Sequence, residues 1–121
     1  MIASAEKPED ALHLFVADIA AEIARPGFRG CPFINAAAEF PDADHPVRRI
    51  VTDHREWYVD TLALMLRNMG HPVPGDAADE LLLARDGALA GGYAGDSVAA
   101  TAALGRITSR VLAEASPAKL A

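Results

Sequence analysis

Residues 28–49 read FRGCPFINAAAEFPDADHPVRR, and the parsing of this stretch decides the fold. Prolines punctuate it at positions 32, 41 and 46. A proline fits the first turn of a helix, where an N–H would have no partner, and it cannot continue a helix that it follows. Cys31 therefore takes the cap position of a short helix with Pro32 in its first turn. Phe33, Ala37 and Phe40 recur at spacings that share one helical face, and Pro41 closes the helix. A further helix opens behind Asp44, the expected cap, with Pro46 tolerated in its first turn. The stretch reads as a junction between helices rather than as a catalytic loop or a metal knuckle.

The flanking sequence continues the pattern. Apolar spacings of three and four recur throughout, whereas the alternation or compact Val/Ile/Thr runs of strands do not. A first helix begins near Pro8, with Glu9 and Asp10 at the positive end of its dipole and Leu12, Phe15, Val16, Ile19 and Ile23 as its stripe. Arg25-Pro26-Gly27 stops it. The third helix runs from Pro46 to Gly70. On a wheel of about 100° per residue, Val47, Ile50, Val51, Trp57, Tyr58, Leu62, Leu64, Met65 and Met69 fill a broad apolar arc. Two polar residues, His54 and Thr61, fall in the middle of it. A fourth helix, about Asp76 to Ala94, spreads Leu81, Leu82, Leu83, Leu89 and Tyr93 around its circumference, with Ala84, Gly87, Ala88 and Gly91 as a small-residue face. Gly95 is the expected left-handed cap, and Asp96 caps a fifth helix striped by Ala100, Leu104, Ile107 and Val111. The expected fold is all-α: a single domain, residues 1–121, forming an antiparallel bundle of about five helices.

With 121 residues, 51% of them hydrophobic, the chain has material for a core and is not expected to be disordered. A net charge of −6 without any basic stripe argues against nucleic-acid binding by this segment. The single cysteine excludes an internal disulfide and a multi-cysteine zinc site and suits a reducing cytoplasm. The first ten residues lack the pattern of a signal peptide, and no apolar run reaches membrane-spanning length. The expected protein is soluble and has no membrane partner.

Catalytic chemistry finds little support. The histidines at 13, 45, 54 and 71 lack metal-ligand spacing, so neither a metal nor a cofactor is expected. Cys31 reads as a small buried hydrophobe, since no base is designated for it. The glycine-rich run at 87–95 has no preceding strand to make a phosphate cradle, and it reads instead as close helix packing. His54 is open to two readings: a satisfied core histidine, or a polar group lining a cavity.

Residues 27–48, GFRGCPFINAAAEFPDADHPVR, resemble the segment that joins the first ligand-domain helices of TetR-family transcriptional regulators to the long helix after them. The resemblance extends over most of residues 8–114. It implies a C-terminal domain without catalytic activity, binding a small, hydrophobic effector between its helices and forming a homodimer through the last two as a four-helix bundle. Carried over onto this chain, the effector would meet Phe15, Ile19, Phe33, Phe40, His54, Trp57, Tyr58, Thr61, Met65 and Leu83. The expected dimer interface is Ala84, Gly87, Ala88, Gly91, Thr101 and Thr108. No three-helix DNA-binding segment stands before Pro8, so DNA is expected as a partner only through a domain absent from this chain. Two rivals remain: an oligomerisation module with a filled core, and a small helical enzyme built on His54.

Overall fold

The computed structural model describes residues 7–115, so the expectation of no leader segment falls largely outside the described residues. Five helices follow in order: α1 (Pro8–Ala24), α2 (Pro32–Glu39), α3 (Pro46–Asn68), α4 (Pro74–Ala94) and α5 (Ser97–Ala115). Four of them begin on a proline, whose fixed φ is already helical and whose missing N–H costs nothing at that position. The expected α1, α2 and α3 boundaries hold to within a residue or two.

The caps differ in three places. At α3 the cap is His45 rather than Asp44: its Nδ1 accepts from the Val47 N–H at 3.1 Å, while Asp44 only donates its own N–H to Asp42 Oδ1 at 2.9 Å. Proline at N1 places the cap one residue before it, which moves the role from Asp44 to His45. For the same reason α4 starts at Pro74, two residues before Asp76. Gly95 is not left-handed, having φ −137°. Its lack of a side chain serves close approach instead, because a Cβ there would lie 3.2 Å from the Gly91 carbonyl oxygen. Asp96 does cap α5, accepting from the N–H groups of Val98 and Ala99 at 3.0 Å each.

Gly70 is the left-handed terminator, at φ +81° after α3. The His71 N–H bonds to the Leu66 carbonyl and the Gly70 N–H to that of Arg67, each at 3.0 Å, the paired bonds that close a Schellman motif. His71 then folds inward, its Nδ1 accepting from the Val73 N–H at 3.1 Å.

α4 lies against both α3 and α5, α1 crosses α5 and α4, and α2 rests on α3. Leu12, Phe15, Leu62, Leu66, Leu81, Leu104 and Val111 are fully enclosed at the centre. The α1 stripe is buried as expected except for Val16, which is half-buried against the core. The α3 arc is only partly buried, since Ile50, Trp57 and Leu64 lie more than half exposed. The tightest helix approach is at Gly92, where a Cβ would meet Ile23 side-chain carbons at 3.0–3.2 Å. Gly87, by contrast, has nothing within 4 Å of that position.

Candidate functional site

A cleft of about 270 Å³ opens between α1, α2, α3 and α4. From α1 come Asp18, Ile19 and Glu22; from the turn into α2, Gly30, Cys31, Pro32 and Phe33; from α3, His54, Trp57 and Tyr58; from α4, Arg85 and Leu89. The helical repeat puts His54, Trp57 and Tyr58 on one face at i, i+3 and i+4. The turn from α1 is shaped by Gly30 at φ +87° and tied by Asn35 Nδ2, which donates to the Arg29 carbonyl at 2.9 Å. That places the Phe33 ring flat on His54, with centroids 3.7 Å apart and planes 7° from parallel. Trp57 lies 5.9 Å from His54, and the Tyr58 ring stands edge-on to Phe15, His54 and Trp57 at 6.0–6.2 Å. Ring pairs at such separations contribute beyond their buried area.

One wall is charged. Arg85 sits 4.7 Å above the Tyr58 ring, with one Nη 3.2 Å from Asp86 Oδ1 and the other 3.7 Å from Cys31 Sγ. Arg55 of α3 grips the same carboxylate in bidentate fashion at 3.2 and 2.7 Å. On the α1 wall, the Asp18 carboxylate has no hydrogen bond or ion pair among the described residues, and its Oδ2 is closed off from solvent. Glu22 pairs with Arg25 at 2.8 Å, and this hydrogen bond holds its carboxyl below the usual range.

Burial, with help from the charges of Arg85 and Arg55, pushes the His54 imidazole below its ordinary value. It is therefore neutral at pH 7, as a ring stacked on phenylalanine should be. Its unfolded counterpart binds a proton more readily, so stability is complete above about pH 6.5 and falls as pH drops towards the folded value. Thermal melts of the native chain and of His54→Gln should diverge below about pH 6.5, with the native chain losing more; parallel curves would contradict this. Burial also raises the Tyr58 hydroxyl, against the opposing effect of Arg85, so that ring stays neutral too.

Of the residues expected to meet an effector, Ile19, Phe33, His54, Trp57 and Tyr58 line this cleft. The other five do not. Phe15 and Met65 belong to the core. Phe40 stacks on His45 at 4.4 Å. Thr61 turns its hydroxyl back onto its own helix, donating to the Trp57 carbonyl at 2.7 Å, so it needs no ligand and no partner in His54. Leu83, 73% exposed, lies instead in an open groove of about 450 Å³ between α4 and α5, beside Glu80, Ala84, Ile107, Arg110, Val111 and Glu114. Among the expected interface positions, Ala88 and Thr108 face the protomer's own interior, Thr108 donating to the Leu104 carbonyl at 2.9 Å. Ala84, Gly91 and Thr101 are half-buried and Gly87 is exposed. A third hollow, about 670 Å³, adjoins the cleft across Gly30 and Cys31, between α2 and the end of α4.

Sequence reasoning missed Asp18, Arg85 and the Arg55–Asp86 grip. The available signal was a charged Arg-Asp pair at 85–86 inside a run of leucines and alanines, because charge inside an apolar helix needs a partner. No group of three or more His, Cys, Asp or Glu side chains among the described residues is placed to hold a metal. No described helix is long and apolar enough to cross a membrane.

The crystal structure of a TetR-family transcriptional regulator from Streptomyces coelicolor is similar to this chain over 94% of its length, with a TM-score of 0.89 and 35% sequence identity. The fold is a TetR-like C-terminal domain. This chain covers 60% of that protein's length. No protein-family model matches the sequence. No curated protein matches it. The resemblance carried by residues 27–48 and this structural match agree on the same TetR-like domain.

Proposed function

We propose that this TetR-like domain is the effector-sensing and dimerising part of a transcriptional regulator, and that a small, largely apolar molecule enters the cleft between α1, α2, α3 and α4. The observation that carries the reading is the ring cluster of Phe33, His54, Trp57 and Tyr58, assembled by two helices at the mouth of a hollow in a domain similar to a known regulator. Concave sites with apolar walls and a few convergent polar groups are the usual form of a small-molecule site. The function is regulatory rather than enzymatic, as in the similar protein.

For dimerisation the support comes from α4 and α5. Leu83 and Val98 are 73% and 78% exposed, and the groove beside Leu83 is rimmed by Glu80, Arg110 and Glu114. A glycine inside a helix costs about 1 kcal/mol relative to alanine, and nothing within the protomer explains Gly87. A second copy packed across these helices as a four-helix bundle would cover the leucine and use the glycine for close approach.

A ligand that binds only the folded state raises the melting temperature by mass action. Within a panel of small aromatic and alicyclic molecules, some members should raise it by several degrees, and Phe33→Ala should reduce the rise without unfolding the domain. A panel without a single stabilising member would count against the cleft.

A further inference from the structure

The cleft's polar groups are unevenly used. On the α4 wall the Arg85 guanidinium is committed to Asp86, to Cys31 Sγ and to the face of Tyr58. On the α1 wall the Asp18 carboxylate bonds to nothing among the described residues, and one of its oxygens is closed off from solvent. Glu22, the other acid there, already has Arg25. A buried acceptor left without a donor is destabilising, and proteins keep such groups where function uses them. The shielded oxygen lies out of a ligand's reach, but Asp18 lines the cleft and is only half-buried, so the other oxygen of this unpaired carboxylate offers the cleft an acceptor while its strongest donor is engaged. A ligand carboxylate would meet Asp18 as a like charge and would have to compete with Asp86 for Arg85.

Resting on the cleft reading above, we propose that Asp18 is the ligand-selecting residue, accepting an N–H or O–H from the polar end of an effector whose apolar body lies against Trp57, Phe33 and Leu89. The effector class is thus a small aromatic or alicyclic amine or alcohol, not an acid. His54, neutral in its stack, has one donor and one acceptor and does not discriminate between the two classes. The same geometry makes Asp18 a site where stability is given up for recognition, so an apolar replacement should stabilise the empty domain.

The test is a matched series measured by calorimetry at pH 7: 2-naphthylmethylamine, 2-naphthylmethanol, the methyl ether of that alcohol, and 2-naphthoate. The amine and alcohol should bind about tenfold or more tightly than the ether and the acid, the worth of one hydrogen bond to a charged acceptor. Asp18→Leu should raise the melting temperature and bring the alcohol and ether to within about threefold of each other. All four binding the native chain alike, or the acid binding best, would overturn the role of Asp18 and leave the cleft standing. If no member bound and no other apolar molecule moved the melting temperature, the cleft reading would fall, and the selection with it.

Discussion

Replacing Asp86 with alanine should destabilise the domain by about 2–3 kcal/mol, because it leaves the Arg55 and Arg85 guanidiniums together without their shared counter-charge. Arg85 is 11% exposed at its side chain and Asp86 18%, so water cannot fully take over; Arg55, at 33%, is better placed to turn outward. For a domain of this size the loss corresponds to a fall of roughly 10 °C in Tm. The double variant Arg55→Leu with Asp86→Ala should recover part of it, since one of the stranded charges is then gone. Ligand binding should weaken in the single variant as well, because Arg85 is held over Tyr58 by that carboxylate. An Asp86→Ala chain that melts like the native one would mean the pairs are solvated ornaments of the surface.

Leu83→Glu should break the proposed α4–α5 dimer, weakening self-association by about 100-fold or more, as expected when an apolar anchor becomes a charge facing its own copy across a two-fold axis. Within one protomer Leu83 touches little, being 73% exposed, so the monomer's own stability should be nearly unchanged. Sedimentation over a range of concentrations reads the first effect and denaturant unfolding the second. A native chain that sediments as a monomer, or a variant that stays dimeric, would move the interface away from α4 and α5.

The helical punctuation was legible because proline and glycine act locally. Pro8, Pro32 and Pro46 mark their helix starts whatever lies elsewhere in the chain. The α1 stripe was legible for a similar reason, since a helix packed along one side buries what its period dictates. What could not be read was which part of a broad arc meets a neighbour. On α3, Ile50, Trp57 and Leu64 belong to the apolar arc by period yet lie outside the core, because the packed neighbours cover only part of that arc. Thr61 looked like a buried polar group in need of a partner, but a threonine in a helix has one available in the carbonyl four residues back. The glycines show the same limit: spacing singled out Gly87, Gly91 and Gly95, whereas the close approach to α1 is at Gly92, fixed by where Ile23 lies. Asp18 and Arg85 come from helices far apart in sequence, and only tertiary packing brings both into the lining of one cleft.

The central claim, that the aromatic cleft receives a small molecule, is tested most directly by the emission of Trp57. It is the only tryptophan in the chain and stands at the cleft beside His54, so its signal needs no assignment. Titration with a non-fluorescent alicyclic amine or alcohol should give a saturable change in intensity or wavelength, with Phe33→Ala weakening the apparent affinity about tenfold through loss of the stacked wall. A response that is linear and unsaturable, or one that Phe33→Ala leaves untouched, would contradict binding in the cleft.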